Sequence, residues 1–242
     1  MTIRSNSQNN DVQPVTVAVI ITAAGSSTRM GGIKKEYLPL GKGTVLSQCI
    51  KAFMDASNNK EHPFNISRFI ITVPADDDGK AKQAAKPAGC PVQIDYVPGG
   101  STRQLSVFNA LEYIQKSGAA PDYVLIHDGA RPFVTTTLIN EVLQATQKYQ
   151  AATPGITPTD TIKALDSDGF IVTHLVRSTL TAVQTPQGFD FNMLYDAHKK
   201  AADDNTSYTD DSEIWGKYCG PVKLVEGDIK NIKITYPGDI EK

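Results

Sequence analysis

Residues 14–22 read Pro-Val-Thr-Val-Ala-Val-Ile-Ile-Thr, and residues 23–32 continue Ala-Ala-Gly-Ser-Ser-Thr-Arg-Met-Gly-Gly. The run Val15 to Thr22 is almost continuous in β-branched residues, the pattern of a parallel strand covered on both faces. Similar runs recur at Phe69 to Val73, Val92 to Val97 and Tyr123 to His127. Segments with helical spacing lie between them, Val45 to Ala56 and Arg103 to Ile114 among them. Alternating strand and helix predicts an α/β fold with an open, mostly parallel twisted sheet and right-handed crossovers. From Ala152 the pattern changes: Ile156 to Leu165 and Phe170 to Leu175 are short β-prone runs around the turn Asp166-Ser167-Asp168-Gly169. That spacing predicts a β-hairpin arm projecting from the sheet. The chain then returns through helices near Asn192 to Asp203 and Asp211 to Tyr218 and a strand around Val222 to Val225.

The 242 residues are 40% hydrophobic, enough for one full core, so residues 15–242 read as a single domain and residues 1–14 as a frayed polar tail. Lys and Arg total 24 against 26 Asp and Glu, a formal charge of -2 that gives no general field for nucleic acid or an acidic membrane. Any anion must be bound locally. Cys49, Cys90 and Cys219 are far apart and outside any C-x-x-C spacing, which argues against a disulfide framework or a zinc site. With no apolar signal stretch and no run approaching about 20 apolar residues, a cytoplasmic protein is expected.

Open parallel sheets bind ligands at the carboxyl ends of their strands, and the unusual residues of this chain gather there. After the first strand, residues 23–32 are small enough for backbone amides to approach a phosphate, and Lys34 and Lys35 follow. Neither G-x-x-x-x-G-K-[ST] nor G-x-G-x-x-G is present. The third strand runs into Pro98-Gly99-Gly100-Ser101-Thr102-Arg103, opening a helix with Arg103 and Ser106 one turn apart; Ser101 is a phosphate or base ligand, or simply an N-cap. His127-Asp128-Gly129-Ala130-Arg131-Pro132 puts an acid at a strand tip, to hold a metal or substrate hydroxyls, to pair with Arg131, or both. Near the end, Lys233 stands in an extended frame with Ile232 and Ile234 on the other side, facing either a pocket or solvent.

Taken in order, AAGSSTRM with Lys35, GGSTRQLSV, HDGARPF, TPTDTIK, TPQGFD, YTDDSE and VEGDIKNIKIT resemble the 2-C-methyl-D-erythritol 4-phosphate cytidylyltransferase family and its relative, ribitol-5-phosphate cytidylyltransferase. The likeness runs from about Val15 to the C-terminus. It implies a Rossmann-like, nucleotidyltransferase-type sheet and the transfer of CMP from CTP to 2-C-methyl-D-erythritol 4-phosphate, or in the alternative to D-ribitol 5-phosphate, with release of pyrophosphate and with a divalent cation, most simply Mg2+. By position, Arg29 and Lys35 fall on residues that stabilise the transition state. Ala23, Ala24, Gly25, Gly100, Ser101, Arg103, Ser106 and Gly129 fall where the family holds CTP, and Lys233 would touch the phosphates of nucleotide and substrate. The resemblance also implies a homodimer in which an arm of about residues 157–180 brings Thr161 and Arg177 of the second subunit to a pocket with Asp128, Thr185 and Thr209. Three positions depart from the pattern: Lys34 replaces a common proline, Ser101 a frequent acid and Gly129 a frequent alanine.

The implied chemistry matches the residue types. A phosphate oxygen is anionic near neutral pH and needs no base to attack, so the absence of a triad is expected. His62, His127, His174 and His198 are scattered and read as surface or packing residues, with His127 alone near the site. Two polyanions must instead be neutralised as charge grows on the α-phosphate oxygens, which suits Arg29, Lys35, Arg177 and Lys233. Magnesium would bind mainly through CTP phosphates, with Asp128 as its protein contact. A non-catalytic nucleotide-binding relative is the alternative, and the retained cations argue against it. An NAD-dependent oxidoreductase is disfavoured by the missing glycine fingerprint. Arg29→Ala or Lys35→Ala should therefore lower turnover strongly with the fold intact, checked by steady-state rates beside thermal melting; unchanged turnover in either would remove that residue from the chemistry.

Overall fold

The computed structural model describes residues 14–27, 30–77, 79–204 and 206–240. Arg29 and residues 1–13 of the expected tail lie outside them. Strand β1 is Thr16–Thr22, followed by the two-residue ribbon β2 (Pro39–Leu40) and β3 (Gly43–Thr44), helix α1 (Val45–Ser57) and strand β4 (Asn65–Val73). Then come α2 (Lys80–Ala85), β5 (Ile94–Pro98), α3 (Arg103–Lys116), β6 (Tyr123–Asp128), α4 (Thr136–Tyr149) and β7 (Ala151–Ile156). The arm strands β8 (Lys163–Leu165) and β9 (Ile171–His174) precede β10 (Ala182–Val183) and β11 (Gln187–Asp190). Helices α5 (Phe191–Asp203) and α6 (Asp211–Tyr218) and strand β12 (Lys223–Glu226) complete the order.

The central sheet runs β10-β7-β11-β6-β1-β4-β5, with β12 paired to β7. β1 pairs in parallel with β4 and β6, β4 with β5, and β12 with β7, while β11 is antiparallel to both β6 and β7. The sheet is thus mostly parallel, as the alternating pattern predicts. Along β1 the side chains divide: Val17, Val19 and Ile21 face one layer with α1, α2 and α4, while Ala18 and Ile20 face the other with α3, α5 and Trp215 of α6. Both faces are dry, which explains why this strand has no alternation of polar and apolar residues.

The helices begin where short hydroxyl and acidic side chains can take up free amides. Thr44, Thr102, Thr135, Asp190 and Asp210 each accept a hydrogen bond from a first-turn backbone N–H. The cap of α3 is Thr102, leaving Ser101 exposed at its entrance.

The structure departs from the sequence expectation in the second half. Strand β7 starts at Ala151 and ends at Ile156, and residues 157–162 leave the sheet without strand pairing, so the β-prone run Ile156 to Leu165 is broken. The Thr-Pro-Gln turn leads into β11, which lies between β6 and β7. That insertion needs Gly188, because a Cβ there would stand 2.1 Å from Thr146 Oγ1 of α4. The expected hairpin is present: β8 and β9 pair antiparallel in a sheet of their own, with Phe170 and Val176 69% and 63% exposed. Among the described residues, no helix is long and apolar enough to cross a membrane.

Candidate active site

The carboxyl ends of β1, β4, β5 and β6 surround a cleft of about 960 Å³. Of the sequence-nominated residues, Ala24, Gly25, Lys35, Gly100, Ser101, Arg103, Ser106, Asp128 and Lys233 line it. Ala23 lies just behind, buried, its amide donating to Thr72 O at 3.0 Å. Gly129 is packed under the cleft, its amide bonded to Thr22 O. Thr185 is also behind the wall: its hydroxyl accepts from the Asp128 amide at 3.0 Å. Thr209 is exposed, donating through its amide and hydroxyl to Glu213 at 2.8 Å each. Thr161 and Arg177 are exposed on the arm, where Arg177 donates to Thr159 O, and neither is among the described residues lining the cleft of their own chain.

Two loops form the floor. Gly99 lets them meet, since a Cβ there would stand 2.3 Å from Ala24 Cβ and 2.9 Å from Ser106 Oγ. Ser106 Oγ donates to Thr102 O at 2.8 Å and accepts from the Gly100 amide at 3.1 Å, tying the glycine turn to α3. On the other side Lys34 donates to Ala23 O at 2.5 Å and Gly25 O at 2.6 Å, with Glu36 3.5 Å away. Lys34, adjacent to Lys35 in sequence, thus uses its ammonium to clip the loop. Because a trans peptide points C=O and the next N–H in opposite directions, fixing these carbonyls turns the Ala24 and Ser26 amides away from the ammonium. Lys35, 9% exposed, lines the cleft in the turn that follows.

Asp128 carries the electrostatics. Its Oδ2 is 2.9 Å from Lys233 Nζ and 3.4 Å from Arg131 Nε, and its Oδ1 is 3.7 Å from Arg103 Nε and 3.4 Å from Thr22 Oγ1. Burial pushes its carboxyl up, but Lys233, Arg103 and Arg131 hold it well below the usual carboxylate range. Three cations gather around Asp128, and even with buried Asp211 2.7 Å from Arg103 they leave a net positive cluster facing the cleft. Lys233 does not arrive by strand alternation: residues 227–236 make no strand, Ile234 is fully buried and Ile232 half-buried. The segment is stitched down on both sides of the lysine, by Arg131 NH1 to Asn231 O at 2.7 Å and by Ile234 N to Ala130 O at 2.8 Å. Buried Asn231 adds a bond to Thr185 O at 2.8 Å. The signal for that stitch is the asparagine inside VEGDIKNIKIT, a polar residue in an apolar frame.

His127 supports the strand tip without meeting the cleft. Its Nε2 is 3.0 Å from Arg131 O, which only accepts, so Nε2 carries the proton and Nδ1 accepts from Thr185 Oγ1 at 3.0 Å. Packed edge-on against Phe53, the imidazole is pushed by burial down to about 4. The unfolded chain protonates it near 6.5, so stability is complete above that pH and falls as pH drops from 6.5 toward 4, where only the unfolded state binds the proton. Urea midpoints should decline across this window in the native protein and less in His127→Gln; equal slopes in both would sink the assignment.

The sequence profile of the family described as 2-C-methyl-D-erythritol 4-phosphate cytidylyltransferase matches residues 17–242. A protein of that name from Clostridium beijerinckii is 42% identical over 226 residues, covering 93% of this chain and 95% of its own length. Another, from Caldanaerobacter subterraneus, is 39% identical over 225 residues and covers 93% of this chain and 95% of its own. Among solved structures, the 4-diphosphocytidyl-2C-methyl-D-erythritol synthase of Anaerococcus prevotii superposes with a TM-score of 0.76 at 29% identity, covering 94% of this chain and 95% of that one. The 2-C-methyl-D-erythritol 4-phosphate cytidylyltransferase of Thermus thermophilus superposes with a TM-score of 0.71 at 31% identity, covering 94% and 96%. A cleft of small-residue loops and clustered cations at the strand tips, together with matches over nearly the whole length, places this chain in the 2-C-methyl-D-erythritol 4-phosphate cytidylyltransferase family.

Proposed function

We propose that the chain transfers CMP from CTP to 2-C-methyl-D-erythritol 4-phosphate, giving 4-CDP-2-C-methyl-D-erythritol and pyrophosphate. The observation that carries this reading is the cation cluster assembled on Asp128, opposite two loops whose backbones can approach a phosphate. A phosphate oxygen of the acceptor forms the new bond to the α-phosphorus, and the bond from that phosphorus to the β-phosphate oxygen breaks. No proton has to be removed from the nucleophile. Lys35 and Lys233 neutralise charge as it grows on the α-phosphate oxygens, with Arg29 in the same role by family position. Ala23, Ala24, Gly25, Gly100, Ser101, Arg103, Ser106 and Gly129 shape the CTP half of the cleft.

The arm supports the reading of a homodimer. Its apolar side chains Leu165, Phe170, Ile171, Val172 and Val176 are each more than half exposed, an apolar surface that a second subunit would cover. In that assembly Thr161 and Arg177 of the partner subunit complete the acceptor pocket beside Asp128 and Thr209, with Thr185 supporting Asp128 from behind the wall. Residues 15–242 then act as one catalytic unit, and the widely spaced cysteines fit a cytoplasmic enzyme.

A magnesium ion is implied by the chemistry, but the side chains do not fit a protein-held metal. Among the described residues, no group of three or more His, Cys, Asp or Glu could hold one. Both oxygens of Asp128 already face cations, so it is read as an organiser of those cations and not as the ligand the sequence expectation made it. Any such ion would travel on the triphosphate oxygens.

Pyrophosphate release from CTP and magnesium, with methylerythritol 4-phosphate and ribitol 5-phosphate offered separately, tests the assignment. Release with methylerythritol phosphate is expected, and Lys35→Ala should reduce it about a hundredfold or more. Release with ribitol phosphate alone would move the enzyme to the relative's acceptor, and release with neither would make it a non-catalytic member. Lys34→Met should raise the KM for CTP about tenfold and lower the melting temperature by several degrees, as expected when a charged clip worth about 1.5 to 3 kcal/mol is lost from a binding loop. An unchanged KM would show that the loop keeps its shape without the clip.

A further inference from the structure

One fully buried acid stands behind the cleft with no part in the chemistry above. Asp211 is the first residue of α6 and is 0% exposed. Its Oδ2 lies 2.7 Å from NH1 of Arg103, and its Oδ1 lies 3.1 Å from Nε2 of His198, which is itself buried on α5. The His198 ring is stacked on Phe108 of α3, with centroids 6.2 Å apart and planes 13° from parallel. Three helices therefore meet on this carboxylate, and the imidazole fixes its orientation.

Arg103 stands between two acids at unequal distance, 2.7 Å from Asp211 and 3.7 Å from Asp128. A guanidinium is a rigid planar fork, so whichever carboxylate holds it more closely sets where its other edges point. Drawn onto Asp128, it would compete with Lys233 for the same carboxylate and lose the fixed orientation in which it lines the cleft.

We propose that Asp211 is a positioning residue for nucleotide binding: braced by His198, it holds the Arg103 guanidinium short of Asp128, so that Arg103 serves the nucleotide while Asp128 remains with Lys233. The inference rests on the reading of Arg103 as a CTP ligand. It also ties the α5–α6 connection, which carries Thr209, to the nucleotide side of the cleft.

Steady-state kinetics of the full chain with varied CTP, saturating methylerythritol 4-phosphate and magnesium test this in wild type, Asp211→Asn, Arg103→Gln and the double variant. Asp211→Asn should raise the KM for CTP about tenfold with kcat within about threefold of wild type, the split expected for a lost binding contact. The double variant should be no worse than Arg103→Gln alone, because Asp211 acts through that arginine. Full additivity of the two effects would overturn the proposal. If Arg103→Gln leaves the KM for CTP unchanged, the assignment of Arg103 fails and the proposal with it, whereas a wild-type enzyme inactive with either sugar phosphate would instead remove the functional reading. Should Asp211→Asn melt far below wild type, Asp211→Glu keeps the charge and displaces it by one methylene; a raised KM for CTP with kcat spared supports the proposal, and an unchanged KM overturns it.

Discussion

A carboxylate taken out of water survives only where opposite charge replaces the lost hydration, and Asp128 meets that demand with Lys233, Arg131 and Arg103 at once. The arrangement works in both directions. The cations satisfy the acid, and the acid keeps three like charges within reach of one another in a partly dry cleft. Each arrives from a different part of the chain: Arg103 from the start of α3, Arg131 from the loop after β6, Lys233 from the segment after β12. The site is therefore a place where the sheet and the C-terminal segment are held together by charge, and its geometry depends on the whole fold being complete.

Much of this was legible in the sequence, for identifiable reasons. The run Val15 to Thr22 could be read because a strand buried on both faces leaves no polar alternation, and the core confirms that division around Val19 and Ile20. Gly99 and Gly100 stood out because their small size is needed locally, between two loops. What escaped were roles fixed by partners distant in the chain. Lys34 looks like any basic residue until its ammonium is seen on the carbonyls of residues nine and eleven positions earlier. Asp211 sits in a motif that reads as a helix start, and its partner Arg103 lies more than a hundred residues away.

The second half of the sheet was harder to read for a topological reason. Gln187–Asp190 is only four residues long and contains a glycine, so its own propensity for strand is slight. It is extended because β6 and β7 both offer it backbone partners and because Gly188 fits beneath Thr146. Likewise the segment 157–162 is β-prone in composition but leaves the sheet, since the chain must depart there to build the arm. Tertiary pairing decided both cases over local preference.

The position of β11 has a further consequence for the newborn chain. On the ribosome, β1, β4, β5 and β6 and the helices between them are complete by Asp128, yet the outer edge of β6 has no neighbour until residues 187–190 have been made. The intervening stretch includes the arm with its exposed apolar residues. An apolar, unpaired edge beside an unburied apolar hairpin is the state most exposed to pairing with the wrong chain. This enzyme's greatest risk of aggregation therefore falls in the interval of synthesis between the strand that ends at Asp128 and the short strand that seals it.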